Sequence, residues 1–225
     1  MKYRCVIFDL DGTLADTVSD IACAMNRALS AAGFSPVNES EYPGMVGWGV
    51  KKLAWLTLPE SGRDEETTAH IAAEAGRIYN ENPLVRTRAY PGIEGMLGAL
   101  ASKKIKTAVL SNKSDETARA VVNGLFGPGA FAVIRGALPG IPLKPDPQAV
   151  WEILAELDLA PGDAVFAGDS EIDVKTARNA GCFPLGVSWG YRPRKALEEA
   201  GAALVIDGPG ELLGLINRGA LYRYL

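Results

Sequence analysis

The chain has 225 residues, of which 48% are hydrophobic and 22% charged, and its formal net charge is −4. This length is sufficient for one large core, or for a core with a smaller appended domain, and the composition is ordinary for a globular protein. The mild acidity argues against a nucleic-acid-binding protein, because such proteins usually carry a basic surface. The three cysteines are widely separated and lack a CxxC spacing, so we expect a reducing compartment and no thiolate metal site.

No stretch of the sequence has the apolar length of a signal peptide or a membrane-spanning helix, and residues 1–4 lead directly into a short apolar run. We therefore expect a cytoplasmic protein that associates with neither membranes nor nucleic acid. Its expected partner is a small molecule, and the expected assembly is a monomer or a homodimer.

The first predicted strand, residues 5–8, is followed directly by Asp9-Leu10-Asp11-Gly12-Thr13. At a strand end, Asp9 and Asp11 can direct both carboxylates toward one cavity while Leu10 points into the core. Two like charges this close are costly unless a cation neutralises them or one of them is protonated. The pair therefore suggests a site for Mg²⁺, which prefers oxygen ligands, although Asp and Gly also occur together in simple turns.

Residues 16–89 show helical patterning but no convincing strand. One helix is predicted before Gly33, and a second from about residue 63 to residue 79. An all-helical segment inserted just after a first strand is typical of a lid. We therefore predict two domains, a catalytic core formed by residues 1–15 and 90–225 and a helical cap formed by residues 16–89.

One loop of this cap, residues 47–52, is the best candidate to reach the end of the first strand. Its glycines allow close approach of the backbone. Lys51 is a possible specificity residue, because its ammonium could meet a carboxylate or a second phosphate of a substrate. The alternative is that Lys51 is simply solvated, as most lysines are.

Five further apolar runs follow the cap, separated by segments with helical patterning. Because these runs lack period-two alternation, they are typical of strands covered on both faces, as in a parallel sheet flanked by helices. One connecting helix is predicted to begin at Pro147, with Asp146 as its cap. The predicted fold class is therefore α/β, with a doubly wound, mostly parallel, Rossmann-like sheet and a small helical cap inserted after the first strand. The five runs are residues 107–110, 131–134, 164–167, 184–187 and 203–206.

Polar side chains follow two of these runs, and ligands bind at the carboxyl ends of the strands in such sheets. In the segment Ser111-Asn112-Lys113, the Ser111 hydroxyl and the backbone N–H groups that lead into the next helix could cradle an anion, although Ser and Asn are also common helix caps. Lys144, in Pro142-Leu143-Lys144-Pro145, could offset the charge of a carboxylate and a phosphate. The alternative for Lys144 is an ordinary loop lysine.

Two more acids, Asp169 and Asp173, follow the run at 164–167. Asp169 occupies the same place on its strand as Asp9 does, and Asp173 lies one helical turn later. Four acids at one sheet edge fit a metal site, whereas acids at a helix N-terminus alone can simply complement the helix dipole.

Taken in order, Asp-x-Asp-Gly-Thr, Ser-Asn, Lys-Pro and Gly-Asp-Ser-x-x-Asp resemble the motifs of the haloacid dehalogenase superfamily over essentially the whole chain. The most specific part is residues 8–14, and the helical insert is similar to that superfamily's first type of cap. The first motif, residues 111–113 and residues 189–193 most resemble bacterial phosphoglycolate phosphatases. The resemblance implies a Mg²⁺-dependent phosphomonoester hydrolase that acts on a small phosphorylated metabolite, with 2-phosphoglycolate as the best candidate.

The resemblance also implies a role for each matching residue. Asp9 attacks phosphorus to form an aspartyl-phosphate, and Asp11 protonates the leaving group and then deprotonates water. The Mg²⁺ ligands are the Asp9 carboxylate, the Asp11 backbone carbonyl and the Asp169 carboxylate, with Asp173 supporting the site indirectly or through water. The phosphate oxygens are held by Ser111, Asn112 and Lys144.

Three other activities remain open at this point. A dehalogenase has the same fold and nucleophile but needs neither Mg²⁺ nor an acid for the leaving group, so Asp11, Asp169 and Asp173 argue against it. A sugar phosphomutase, similar to β-phosphoglucomutase, has the same four motifs and differs in how its cap returns the phosphoryl group. A catalytically silent phosphate-binding module is expected to lack the nucleophile or the metal-binding acids, and none of them is missing.

Overall fold

The structure is a computed structural model that describes residues 3–218, so residues 1–2 and 219–225 of the predicted core lie outside the described residues. Its strands in chain order are β1 (Cys5–Phe8), β2 (Ala15–Asp16), β3 (Arg88–Ala89), β4 (Lys106–Ser114), β5 (Val133–Ala137), β6 (Ala164–Gly168), β7 (Phe183–Val187) and β8 (Leu204–Ile206). Six of them form one sheet in the order β5-β4-β1-β6-β7-β8, and every neighbouring pair is parallel. Each of these six overlaps an apolar run of the sequence, which confirms their prediction.

The segment between β2 and β3 contains three α-helices, α1 (Val18–Ala31), α2 (Val50–Thr57) and α3 (Glu65–Glu81). The expectation that this segment has no strand is wrong at its two ends, because β2 and β3 pair antiparallel and join its entry to its exit. Strands of two residues are too short to show a periodicity in the sequence. The sequence also does not predict α2, which begins inside the expected loop at 47–52. The division into a core and a cap stays a prediction.

Helices cover the six-stranded sheet on both faces. Side chains of β1 alternate between two clusters, since Val6 and Phe8 pack on one face while Cys5 and Ile7 pack on the other. The first face is covered by α4, α5 and α9, and the second by α6 and α7, which confirms the predicted doubly wound α/β fold. The bounds of these helices are α4 (Ile93–Ser102), α5 (Asp115–Phe126), α6 (Gln148–Glu156), α7 (Glu171–Ala180), α8 (Arg194–Glu199) and α9 (Pro209–Arg218).

Helix α6 begins one residue later than the sequence predicts. Pro147 occupies the N-cap position rather than the first helical turn, and the helix starts at Gln148. The Asp146 carboxylate accepts a hydrogen bond from the backbone N–H of Gln148 at 2.9 Å. This local bond turns the chain before the helix begins, which is a common role of Asp.

Asp20 in α1 connects the start of the helical segment to residues 86 and 87, where the chain leaves that segment. Its buried carboxylate accepts hydrogen bonds from the backbone N–H groups of Arg86 at 2.9 Å and Thr87 at 2.8 Å, and from the Thr87 hydroxyl at 2.8 Å. These residues lie immediately before β3, so the bonds fix the point where the chain returns to the sheet. Within residues 3–218, no helix has both the length and the apolar character required to cross a membrane.

We predict that Asp20→Ala lowers the free energy of unfolding by about 3 kcal/mol, because it leaves two buried donors of Thr87 and a partly buried donor of Arg86 without an acceptor. Urea denaturation monitored by circular dichroism measures the change. Asp64→Ala is the matched control, since Asp64 accepts comparable bonds from Thr67 but is exposed at the start of α3. Equal losses in the two variants would contradict the role of Asp20.

Candidate active site

Three neighbouring strands, β4, β1 and β6, end at the same edge of the sheet and carry most of the predicted site residues. Asp9 follows β1, Ser111 and Asn112 lie in the last part of β4, and Asp169 follows β6. Lys144 comes to the same edge from the connection between β5 and α6. The parallel sheet therefore brings together residues that are far apart in the sequence.

Lys144 joins two carboxylates at this edge. Its Nζ atom lies 2.7 Å from Asp9 Oδ1 and 2.7 Å from Asp173 Oδ1, and all three side chains are buried. Burial opposes the charged form of Lys144, but the two carboxylates outweigh this effect and raise the pKa of the ammonium above its usual value. Lys144 is therefore a cation fixed between Asp9 and Asp173.

Asp9, Asp169 and Asp173 form a buried acidic cluster in which one carboxylate oxygen of each residue lies within 4.8 Å of the others. Burial, and then the charge of Asp173, raises the pKa of Asp169 to about 7 and the pKa of Asp9 well above its usual range. Three carboxylates beside the single Lys144 ammonium leave an excess of negative charge. A hard divalent cation bound by these oxygens would offset that excess, so the donor set fits Mg²⁺.

Both oxygens of Asp169 are fixed by hydrogen bonds. Oδ1 accepts from the Thr13 hydroxyl at 2.9 Å, and Oδ2 accepts from the backbone N–H of Tyr191 at 2.8 Å. The chain passes so close to Asp169 that a Cβ atom at Gly12 would lie 2.3 Å from Oδ2, and one at Gly190 would lie 2.2 Å from the Asp169 Cβ. Glycine is therefore required at both positions, and the Asp169 carboxylate is oriented before any ligand binds.

The carboxylate of Asp11 has a different environment from the acidic cluster. Its Oδ1 atom accepts a hydrogen bond from the Thr17 hydroxyl at 2.6 Å and lies 3.2 Å from Lys113 Nζ. Asp11 and Asp9 line the same cavity, but the Asp11 carboxylate is not among the described groups that could bind a metal together. This arrangement agrees with a role for the Asp11 side chain that is separate from metal binding.

Lys113 is part of a motif that the sequence identifies, but the sequence assigns it no role of its own. Its side chain is only 10% exposed, and its ammonium lies 4.2 Å from the centre of the Tyr79 ring. Burial opposes its charge, while the Asp11 carboxylate favours it, and the net effect is a raised pKa. Its position directly after Ser-Asn at a strand end is the only signal in the sequence that could have indicated its place in the site.

Ser111 and Asn112 both line the cavity, but they differ in what they can donate to a ligand. Ser111 is buried, and its Oγ atom accepts from the backbone N–H of Lys113 at 3.2 Å, which leaves its hydroxyl hydrogen available. The Asn112 amide donates to the carbonyls of Gly47 at 2.9 Å and Lys144 at 3.1 Å. Both hydrogens of the side-chain amide are therefore occupied in this arrangement, and the contact of Asn112 with phosphate stays a prediction.

Lys51 does not join the other predicted site residues. Its side chain is 59% exposed and forms an ion pair with Glu65 on the surface of the helical segment. The expectation that residues 47–52 reach the site is met by Gly47, Gly49 and Val50, which line the cavity. Within the first turn of α2, Val50 lines the cavity while Lys51 is exposed to solvent, and a role of Lys51 in specificity stays a prediction.

Arg192 holds the helical segment against the sheet edge, and the sequence gives no indication of this contact. Its guanidinium donates to the carbonyls of Pro43, Gly44 and Val46, the last two at 3.1 and 3.0 Å. It also lies 3.4 Å from the carboxylate of Glu171. Together with the Asn112 bond to Gly47, these contacts fix the backbone of residues 43–47 over the strand ends.

A cavity of about 140 Å³ lies between the strand ends and the helical segment. Its wall on the helical side is mostly apolar and includes Ile21, Met25, Val46 and Leu53. Its charged lining residues are Asp9, Asp11 and Lys113, so Lys113 is the one basic side chain that lines the cavity among residues 3–218. Asp9 is the member of the acidic cluster that lines this cavity, and its carboxylate is held by the Lys144 ammonium.

Residues 6–187 match the family model of the haloacid dehalogenase-like hydrolases. The chain is 35% identical to a phosphoglycolate phosphatase of Aquifex aeolicus over 191 residues, which cover 84% of this chain and 86% of the relative. It is 32% identical to a phosphoglycolate phosphatase of Rhodospirillum rubrum over an alignment that covers 96% of this chain and 93% of the relative. The chain therefore belongs to the haloacid dehalogenase-like hydrolase family.

Solved structures support the same assignment. A Lactobacillus delbrueckii protein provisionally assigned as a phosphoglycolate phosphatase superposes with a TM-score of 0.88 at 29% identity, covering 94% of this chain and 97% of that one. A β-phosphoglucomutase of Clostridium difficile superposes with a TM-score of 0.79 at 22% identity, covering 99% and 98%, which shows the shared fold alone. The predictions of this family and of a phosphatase are confirmed, whereas the roles of the individual site residues stay predictions.

The acidic cluster predicts a pH-dependent effect of Mg²⁺ on stability. Because the pKa values of Asp9 and Asp169 are raised in the folded protein, protonation stabilises the fold below the ordinary Asp pKa of about 4. For Asp169 this stabilisation is lost as the pH rises through about 7. Protons and Mg²⁺ compete for the same oxygens. We therefore expect Mg²⁺ to raise the thermal unfolding midpoint more at about pH 8 than at about pH 5.

Differential scanning calorimetry with and without Mg²⁺ measures this difference, and Asp169→Asn is the control. We expect Asp169→Asn to show a small Mg²⁺ effect at both pH values, because it removes one of the proposed ligands. An increase in the wild-type midpoint that is the same at both pH values would contradict a metal site at this cluster.

Proposed function

We propose that the protein is a Mg²⁺-dependent phosphomonoester hydrolase that acts through an aspartyl-phosphate, with 2-phosphoglycolate as its substrate. The observation that carries this proposal is the position of Asp9, which is buried at the cavity, held by Lys144 and flanked by Asp169 and Asp173. The three cysteines are free, which supports a reducing, cytoplasmic setting. We further propose that the protein acts there as a monomer or a homodimer.

The reaction has two steps. In the first, an oxygen of the Asp9 carboxylate attacks phosphorus, the bond between phosphorus and the ester oxygen breaks, and Asp11 gives its proton to the leaving alkoxide. In the second, Asp11 takes a proton from water, and the hydroxyl oxygen attacks the aspartyl-phosphate. The bond between phosphorus and Asp9 then breaks, which releases inorganic phosphate and restores the carboxylate. Asp11 suits both steps because its carboxylate lines the cavity apart from the acidic cluster.

The transferring phosphoryl group is held by the hydroxyl of Ser111 and the ammonium of Lys144. Asp9, Asp169 and the backbone carbonyl of Asp11 would hold Mg²⁺. When bound, Mg²⁺ supplies positive charge that stabilises the phosphoryl oxygens in the transition state. Asp173 does not need to touch the metal for this role, because its ion pair with Lys144 keeps that ammonium next to Asp9.

The helical segment excludes water from this reaction. Residues 16–89 act as a cap, and the contacts of Arg192 and Asn112 with the backbone of residues 43–47 keep it over the strand ends. Excluding water strengthens the electrostatic interactions in the site and protects the aspartyl-phosphate until a single water is admitted.

The size and chemistry of the cavity favour a short substrate over a sugar phosphate. The helical side offers few hydrogen-bond partners to the hydroxyl groups of a sugar, chiefly Tyr79 and Asn80 among mostly apolar side chains, and leaving such groups unpaired is costly. This counts against a sugar phosphomutase. A catalytically silent binding module is disfavoured because the nucleophile and the acidic cluster are both present. The two phosphoglycolate phosphatases compared above support 2-phosphoglycolate as the substrate.

We predict that Asp9→Asn lowers kcat for phosphate release at least 1,000-fold, roughly the loss expected when a covalent nucleophile is removed. Release of inorganic phosphate from 2-phosphoglycolate with Mg²⁺ measures the change. Asp158→Asn is the matched control, because Asp158 is exposed and has a positive φ that Asn also adopts. Retention of activity by Asp9→Asn would contradict the mechanism.

The substrate is tested separately by comparing kcat/KM across a panel of phosphate esters that includes sugar phosphates and p-nitrophenyl phosphate. We expect 2-phosphoglycolate to rank first. A rank far below the other esters would contradict this substrate while leaving the phosphatase intact. Formation of an isomeric sugar phosphate would indicate a mutase.

A further inference from the structure

A substrate that carries a second anionic group requires a second cation in the cavity. Lys144 lies behind Asp9 and is held by two carboxylates, so it serves the phosphoryl group. Lys144 itself does not line the cavity; the charged side chains that do are Asp9 and Asp11, which repel an anion, and Lys113. The apolar wall on the helical side supplies no charge. Among the residues that the structure describes, Lys113 is thus the one lining side chain that can neutralise a carboxylate next to the phosphate site.

We propose that Lys113 determines substrate specificity by binding the carboxylate of a short phosphorylated acid, and that this carboxylate replaces Asp11 as the partner of the ammonium. The inference rests on the function proposed above and names the residue that recognises the non-reacting end of the substrate. It assigns this recognition to the sheet edge, rather than to the lysine on the helical segment that the sequence suggests.

The position of Lys113 suits a short substrate. Only one residue separates it from Ser111, and both line the same cavity. Because alternate residues of a strand project to the same side, a ligand that contacts the Ser111 hydroxyl through its phosphate and the Lys113 ammonium through its carboxylate is favoured when few atoms separate the two groups. A two-carbon acid meets this requirement, whereas a sugar phosphate places its ring in the space between them.

The contacts of Lys113 hold it in place without occupying all of its donors. The Tyr79 ring, 4.2 Å from the ammonium, supports one side of it, and the side chain is almost fully buried. An ammonium has three N–H donors, and its one carboxylate partner in the structure is Asp11 Oδ1 at 3.2 Å. This distance is longer than the 2.7 Å of the two Lys144 contacts, and the same Asp11 oxygen also accepts from Thr17. The ammonium therefore has donors available for a second partner.

The exchange of partners has a consequence for the reaction. While Lys113 binds Asp11, it holds the oxygen that must reach the leaving group. A substrate carboxylate that attracts Lys113 frees this oxygen, so the correct substrate itself completes the arrangement for proton transfer. An ester without a carboxylate leaves the ion pair in place. Part of the binding energy of the carboxylate should therefore appear as a higher kcat as well as a lower KM.

The test compares 2-phosphoglycolate with ethyl phosphate, which has the same number of carbon atoms but no carboxylate. The variants are Lys113→Met and Lys113→Gln, the second of which keeps a polar side chain of similar length in case the first is unstable. We expect both to lower the ratio of the two kcat/KM values by roughly 10- to 100-fold, the effect of losing one charge-assisted hydrogen bond. Thermal unfolding of each variant verifies that it is folded.

Lys51→Met is the matched control, because it removes the charge of the lysine that the structure places on the surface. We expect it to leave the ratio unchanged. If Lys51→Met lowers the ratio of the two kcat/KM values and the Lys113 variants do not, the inference is overturned, since Lys51 would then bind the carboxylate. Equal losses on both esters in the Lys113 variants would also overturn it, because Lys113 would then act only through Asp11.

A binding measurement removes turnover from the comparison. In the Asp9→Asn background, we expect isothermal titration calorimetry to show that Lys113→Gln weakens 2-phosphoglycolate roughly 10-fold or more and ethyl phosphate much less. Equal weakening of both ligands would contradict a contact with the carboxylate. If the wild-type enzyme hydrolyses ethyl phosphate as efficiently as 2-phosphoglycolate, the proposal that 2-phosphoglycolate is the substrate is overturned. If Lys113→Gln keeps the wild-type preference for 2-phosphoglycolate over ethyl phosphate, the inference about Lys113 is overturned while the proposed function stands.

Discussion

The ion pairs of Lys144 with Asp9 and Asp173 are the interaction on which the rest of the site depends. Burying several carboxylates near one another is very costly unless their charge is compensated. One ammonium, 2.7 Å from each of two carboxylates, compensates part of that charge and fixes the position of Asp9. The remaining negative charge, shared with Asp169, is what makes the cluster a suitable place for a divalent cation. The architecture of the sheet serves this arrangement, because β1 lies between β4 and β6 and all three end at one edge.

Rigid local geometry supports the charges. Asp169 is held on both oxygens, and the closeness of Gly12 and Gly190 leaves its side chain no space to turn. The residues after β7 have several tasks at once, since Tyr191 binds Asp169 while Arg192 binds the backbone of the helical segment. The segment that covers the cavity and the acid that would bind metal are therefore positioned by adjacent residues. A shift of the helical segment would therefore displace Arg192, which is adjacent to the residue that binds Asp169.

The sequence predicts the parts of this structure that depend on local pattern. The six strands are visible as apolar runs, and Asp9, Asp169 and Lys144 are predictable as neighbours because strand ends converge in a parallel sheet. Contacts between segments that are distant in the sequence are not predictable in this way. The bond from Arg192 to Gly44 spans 148 residues, and the bond from Asn112 to Gly47 spans 65. Lys113 and Lys51 illustrate this limit of sequence-based prediction. The structure shows that Lys113 lines the cavity and that Lys51 pairs with Glu65, and neither direction can be read from the sequence.

The most direct test of this account is a double-mutant cycle between Lys144 and Asp173, measured by urea unfolding without divalent metal. Lys144→Met leaves the carboxylates without their cation, and Asp173→Asn removes one of those carboxylates. We expect the double variant to be about 2 kcal/mol more stable than the sum of the two single losses would make it, which is the coupling expected of a close buried pair. Losses that add to within about 0.5 kcal/mol would mean that the two side chains do not depend on each other, and would contradict the account.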